Sequence, residues 1–216
     1  MDNIERRTNT GDVEIRSEGD GTLTAEGYAA VFNVRSENLG GFVEVISKNA
    51  FRETLKTQDV LGLFNHDMNL LLGRTSNGTL SLHEDDHGLR YSLKLPDTSV
   101  GRDVAELLRS RTITGSSFGF NTISDSWSET ESGYPERRLL EARLIDISPV
   151  SRPAYPQTEA SLRSLVDVTG QDIETILKAA ESNELRSLIS QDDDEDEEEA
   201  PSATQANLVR RSWAIR

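Results

Sequence analysis

The feature that most constrains this chain is a repeat period of two. From Thr22 to Val150, apolar residues recur largely at alternate positions in short runs broken by polar turns, the pattern of half-buried β-strands. The runs are Thr22 to Phe32, Gly41 to Ile46, Val60 to Phe64, Thr79 to His83, Gly88 to Leu95, Thr112 to Ile123 and Arg138 to Val150. They predict roughly six to eight strands. Glu84-Asp85-Asp86-His87 separates two cleanly alternating runs, which predicts a hairpin. Two segments break the period. Ser47 offers an N-cap to SKNAFRETLKT, and VGRDVAELLRSR carries Val104, Leu107 and Leu108 at helical spacing. Pro153 and Pro156 end regular structure after the last run. From Thr169 the spacing becomes helical, through Ile173, Ile176, Leu177, Ala180, Leu185, Leu188 and Ile189.

Charge and cysteine content exclude several functions. The 216 residues hold 23 Lys and Arg against 38 Asp and Glu, a net charge of −15. Such a chain is a poor binder of DNA, RNA or anionic lipid, because phosphate binding depends on Lys and Arg displacing counterions. Eight of the acids form one run, Asp192 to Glu199, so about half the excess belongs to a tail that reads as disordered. Only Lys48, Lys56, Lys94 and Lys178 are lysines, a bias that fits either a saline source or a genome favouring Arg codons. The absence of Cys excludes disulfides, thiolate nucleophiles and Cys-bound metals. No run approaches the length of a membrane span, and MDNIERRTNTGDVEIRSEGDG lacks a signal peptide's apolar core. A soluble, intracellular or enclosed protein is expected.

Two well-known motifs match in letters only. His83-Glu84-Asp85-Asp86-His87 spells H-E-x-x-H, but a zinc peptidase needs that motif on a helix, so that both His face the metal. Here it falls in a predicted hairpin turn, and no metal or cofactor is expected. Gly115-Ser116-Ser117-Phe118-Gly119 spells the nucleophile elbow of α/β-hydrolases, a fold in which the His follows the Ser. His66, His83 and His87 all precede Ser117, so that fold is excluded. A serine hydrolase whose His comes first survives. Ser117, flanked by glycines that allow close backbone approach, pairs naturally with His66 at the end of an apolar strand. By sequence alone the same residues read more readily as a surface Ser and a hydrogen-bonded structural His.

A wider resemblance bears on that choice. GYAAVFN (27–33), ISKNAFRETL, DVLGLFNHD (59–67) with LGRTSNGTLSL, LPDTSVGRDVAELL, GSSFGF (115–120) and LIDISPVSRPAYPQT (144–158) together resemble the prohead proteases of tailed phages. These are serine proteases of capsid maturation, distantly akin to the herpesvirus protease assemblin. The resemblance implies an α+β fold, a mostly antiparallel β-barrel with surrounding helices. It implies His66 as general base and Ser117 as nucleophile. Ser116 stands where the family often has Met, and strand alternation favours Ser117 over it. For the third member, Glu141 and Asp146 lie in the following strand, and the spacing in assemblin favours Glu141. Backbone N–H groups, with Arg152 as an auxiliary, are the implied oxyanion donors.

The implied function is a serine endopeptidase that cleaves the scaffold portion of the major capsid protein, and itself, inside the procapsid in the host cytoplasm. The assemblin likeness also implies a homodimer. A catalytically silent capsid-assembly protein of the same fold is the alternative. The expected organisation is a flexible N-terminus over 1–20, a protease domain over 21–165, a helical extension over 166–191 and an acidic disordered tail over 192–216.

Overall fold

The computed structural model describes residues 4–17, 19, 21–151, 158–182, 184–189 and 209–210. In chain order the elements are β1 (Glu5–Asn9), β2 (Glu14–Ser17), β3 (Leu23–Val31), β4 (Val43–Ile46), α1 (Arg52–Thr57), β5 (Leu61–Phe64), β6 (Asp67–Arg74), β7 (Leu80–Glu84), β8 (Gly88–Lys94), α2 (Ser99–Arg109), β9 (Gly115–Glu129), β10 (Pro135–Val150), α3 (Thr158–Thr169), α4 (Ile173–Glu181), α5 (Leu185–Ile189) and β11 (Val209–Arg210). One sheet runs β1-β9-β10-β5-β6, with β4 also on β10 and β11 also on β9. The other runs β2-β3-β8-β7.

The expected closed barrel is not formed. Among the described residues neither sheet closes on itself, and β10 runs parallel to both β4 and β5. The α+β, strand-rich character stands. Both sheets contribute to one apolar core, in which Ala25, Ala29, Leu89, Tyr91 and Leu93 meet Phe118, Phe120, Leu144 and Ile147. Phe118 anchors it, stacked on Phe120 at 5.2 Å and edge-on to Phe51 at 5.5 Å between ring centroids. α2 closes one side with Val104, Ala105 and Leu108, and the Thr98 side chain caps it by accepting from the Gly101 N–H at 3.2 Å.

Several elements depart from the sequence expectation. The first helix begins at Arg52 and not at Ser47, because Asn49 is left-handed at φ 70°, which no α-helix admits. β6 was hidden by its polar start. β9 and β10 extend to Glu129 and from Pro135 through residues too polar to read as strand. The N-terminus, expected to be flexible, supplies β1 and β2. The boundary expected at 165/166 falls inside α3, where Leu162 and Leu165 are buried. α3 to α5 pack through these residues with Ile176 and Leu185 against Phe42 and Trp127, forming a second core on the sheet. The acidic run 192–199 lies outside the described residues. Among the described residues no helix is long and apolar enough to cross a membrane.

Candidate active site

β9 presents its residues alternately to two faces. Phe118 and Phe120 point into the core, and so does Ser116, whose Oγ lies 2.7 Å from the buried Tyr91 hydroxyl. Ser117 points the other way. Alternation therefore separates the adjacent serines, and burial pushes the Tyr91 phenol up beyond any physiological titration, so its bond to Ser116 is a neutral one.

His66 reaches Ser117 from a two-residue turn. Phe64 and Asp67 pair across the β5–β6 hairpin, and Asn65 and His66 between them have φ of 53° and 58°. Positive φ at both central positions is the type I′ turn, which suits the right-handed twist of the strands and accepts Asn readily. A left-handed His is costly, of the order of 1–3 kcal/mol, and persists where its surroundings hold it. Those surroundings are the end of β10. The Asn65 N–H donates to the Pro149 carbonyl at 3.1 Å, Asn65 Oδ1 accepts from the Ser151 N–H at 2.9 Å, and the His66 N–H donates to Ser148 Oγ at 3.2 Å.

Thus held, His66 bridges two groups. Its Nε2 lies 2.7 Å from Ser117 Oγ and its Nδ1 lies 2.6 Å from Asp146 Oδ1. Ser148 donates to the same Asp146 oxygen at 2.9 Å. Asp146, Ser117 and Ser148 are buried. Gly119 makes room for this carboxylate: a Cβ there would lie 2.3 Å from Asp146 Oδ2. The glycine after the serine thus serves the acid, whereas the sequence reading assigned the flanking glycines to substrate approach.

The acid beside His66 is Asp146 and not Glu141, which corrects the sequence preference. Glu141 pairs with Ser124, seven residues along β9 from Ser117, which at about 3.3 Å per residue is more than 20 Å. Asp146 reaches the site face through a bulge. Leu144 pairs with Phe120, but Asp146 pairs with Gly119, leaving Ile145 as an extra residue. Leu144 and Ile147 both enter the core, so were Ile145 to keep the regular alternation and not bulge, Asp146 would face the core as well. Sequence reasoning missed Ser148; its position two residues beyond Asp146 was the available signal. Arg152 lies outside the described residues. His83 and His87 lie in and just after β7, away from this cluster, with His87 packed edge-on against Tyr28 at 4.6 Å. Among the described residues no group of three His, Asp or Glu is placed to hold a metal.

A hydroxyl, an imidazole and a buried carboxylate in hydrogen-bonded series can activate a serine for acyl transfer. Residues 11–172 match the family described as the caudovirus prohead serine proteases. The chain belongs to that family. It is a prohead serine protease. The bacteriophage T4 capsid assembly protease, gp21, is similar among solved structures, at 16% identity and a TM-score of 0.44, with 68% of this prohead protease and 95% of that chain covered. Comparison with curated proteins gave no match.

Proposed function

We propose that Ser117, His66 and Asp146 are the nucleophile, general base and orienting acid of this protease. The observation that carries the reading is the unbroken series of two short hydrogen bonds from Ser117 Oγ through His66 to Asp146. As Ser117 Oγ bonds to a peptide carbonyl carbon, its proton passes to His66 Nε2. His66 then gives that proton to the leaving amine as the C–N bond breaks, and an acyl-enzyme remains. Water attacks the ester and loses a proton to His66, which passes it to Ser117 Oγ as the ester C–O bond breaks, freeing the new carboxyl terminus and restoring the serine. Asp146 fixes the tautomer with the proton on Nδ1 and stabilises the imidazolium. Ser148, bonded to both partners, holds the carboxylate in place.

The substrates are the scaffold portion of the major capsid protein and the protease itself, in a procapsid within the host cytoplasm, with the protease as a homodimer. The test is to co-express wild type and Ser117→Ala with the cognate capsid protein and weigh the products. Wild type yields shortened capsid protein and protease, and the variant leaves both at full mass with an unchanged melting temperature. Identical fragments from the two forms would overturn the assignment.

A further inference from the structure

The hydroxyl of Ser117 has a second neighbour. Besides His66 Nε2 it lies 2.9 Å from the carbonyl oxygen of Arg7, to which it can donate. One hydroxyl carries one proton, and a proton given to Arg7 is not offered to His66. The carbonyl comes from β1, which lies antiparallel on β9 with Thr8 opposite Ser117 and Arg7 opposite Phe118. β1 thus brings a peptide carbonyl to the nucleophile in extended conformation, as a substrate strand would be brought.

β1 is also bound as a ligand is bound. Its sequence, ERRTN, holds no apolar residue, so it docks through main-chain pairing and charge. Arg7 meets the buried Glu44 through a two-bond fork, Nε to Oε1 at 2.8 Å and Nη2 to Oε2 at 2.8 Å, with its guanidinium over the Phe120 ring. Glu5 meets the fully buried Arg137 at 2.6 Å and accepts from Thr122 Oγ1 at 2.5 Å. Burial alone would raise the Glu5 carboxyl, but Arg137 and Arg7 outweigh it and hold it far below the usual carboxylate range. The receiving groups belong to the body: Glu44 on β4, Thr122 on β9 and Arg137 on β10, the last held in turn by Asp125 on β9. Without β1, Glu44 would lose its two-bond fork to Arg7 and Arg137 would lose its bonds to Glu5, buried positions that a substrate carrying the same acid and guanidinium would refill.

Beyond β1 lies an open groove of about 450 Å³, lined by Arg6, Thr8, Val34 and Leu39 among others. A peptide paired there would be the second strand from β9, roughly 10 Å away at the usual strand spacing, and out of reach of Ser117. Access to the nucleophile along the sheet therefore requires β1 to leave. The family match begins at residue 11, after β1.

We propose that β1 is a pseudo-substrate bound in cis, occupying the channel along β9 that the substrate strand enters. The channel reads an acidic residue two places before an Arg, through Arg137 and Glu44 respectively, with the Arg carbonyl at the nucleophile. This inference rests on Ser117 being the nucleophile. The test follows the rate at which a fluorophosphonate probe labels Ser117 in the full chain, with Ser117→Ala as blank. Arg7→Glu, which sets a carboxylate against Glu44, should label at least tenfold faster than wild type. Synthetic NIERRTNT should restore slow labelling, and the same peptide with Arg7→Ala should not. Should Arg7→Glu fail to fold by circular dichroism, a site-specific cleavage sequence inserted after Gly11 and cut after folding releases the strand instead, with the same acceleration expected. Equal labelling before and after release, or equal competition by both peptides, overturns the pseudo-substrate while leaving the nucleophile assignment intact. No labelling in any form, with capsid processing persisting in Ser117→Ala, overturns both.

Discussion

Two hairpin turns in this molecule carry the same residue types to opposite ends. The β5–β6 turn holds Asn65-His66 followed by Asp67, and the β7–β8 turn holds His83 to His87 with three acids between. The β7–β8 turn is the richer in residues of catalytic type, yet it is the β5–β6 turn whose histidine is hydrogen-bonded between a serine and a carboxylate. His66 sits at the tip of a type I′ turn whose backbone is tied to Pro149, Ser148 and Ser151 at the end of β10, so its ring lies between a serine and a buried carboxylate. The β7–β8 turn is folded around its own acid. Asp85 Oδ1 accepts the N–H groups of His87 and Gly88 at 2.8 and 2.9 Å, and its other oxygen accepts the Tyr28 hydroxyl at 2.7 Å. Gly88 is required there, since a Cβ would lie 2.1 Å from the Ala30 carbonyl oxygen. The comparison teaches that tertiary anchoring of a turn, more than the residues within it, brings a histidine between a serine and a buried carboxylate.

Removing the base should break the comparison most sharply. His66→Ala is expected to lower kcat by about 10⁴–10⁶, the range for losing a member of a serine triad, whereas the double change His83→Ala with His87→Ala leaves peptide hydrolysis within about twofold and insensitive to chelators. Comparable losses from the two would remove the distinction. Next, Asp146→Asn should cost about 10⁴ in kcat by presenting the wrong tautomer of His66, while Glu141→Gln, more than 20 Å along the strand, changes little. Steady-state kinetics on a peptide substrate reads both.

Smaller effects sharpen the difference between the anchors. Asn65→Ala removes the acceptor for Ser151 and a residue tolerant of left-handed backbone, and should lower kcat about tenfold more than it raises KM. Asp85→Asn should leave kcat unchanged and act on stability alone. The Tyr28 hydroxyl, then the Gly88 N–H, hold the Asp85 carboxyl down to about 2, below its unfolded value near 4. A lowered folded pKa contributes stability that is present above about pH 4 and lost as the pH falls through about 2. Melting temperature against pH should therefore fall less steeply over pH 4 to 2 in Asp85→Asn than in wild type; parallel curves would refute this contribution.

Much of the site was legible from spacing. Alternation alone put Ser116 and Ser117 on opposite faces, and chain order alone excluded the α/β-hydrolase. The spacing in assemblin misled at the third residue, and strand parity could not correct it, because the bulge at Ile145 carries no signal in LEARLIDIS and reverses the facing of every residue after it. Charge misled at both ends of the sheet. ERRTN and SETESGYPERR look like loop, yet they pair in β1, β9 and β10. The buried Arg137 gathers Glu5, Glu44 and Asp125 from strands far apart in sequence, and a polar strand whose charges are satisfied at such distance has no local signature.

The sequence by itself determined a strand-rich body and the two helices within it, because periodicity is a local property, and it named His66 and Ser117 through chain order and a family resemblance. Only the tertiary structure decided that the sheets stay open, that Asp146 and not Glu141 meets the imidazole, and that β1 lies on the strand of Ser117. Those outcomes depend on register between separate strands, and register is fixed by which side chains can be buried together.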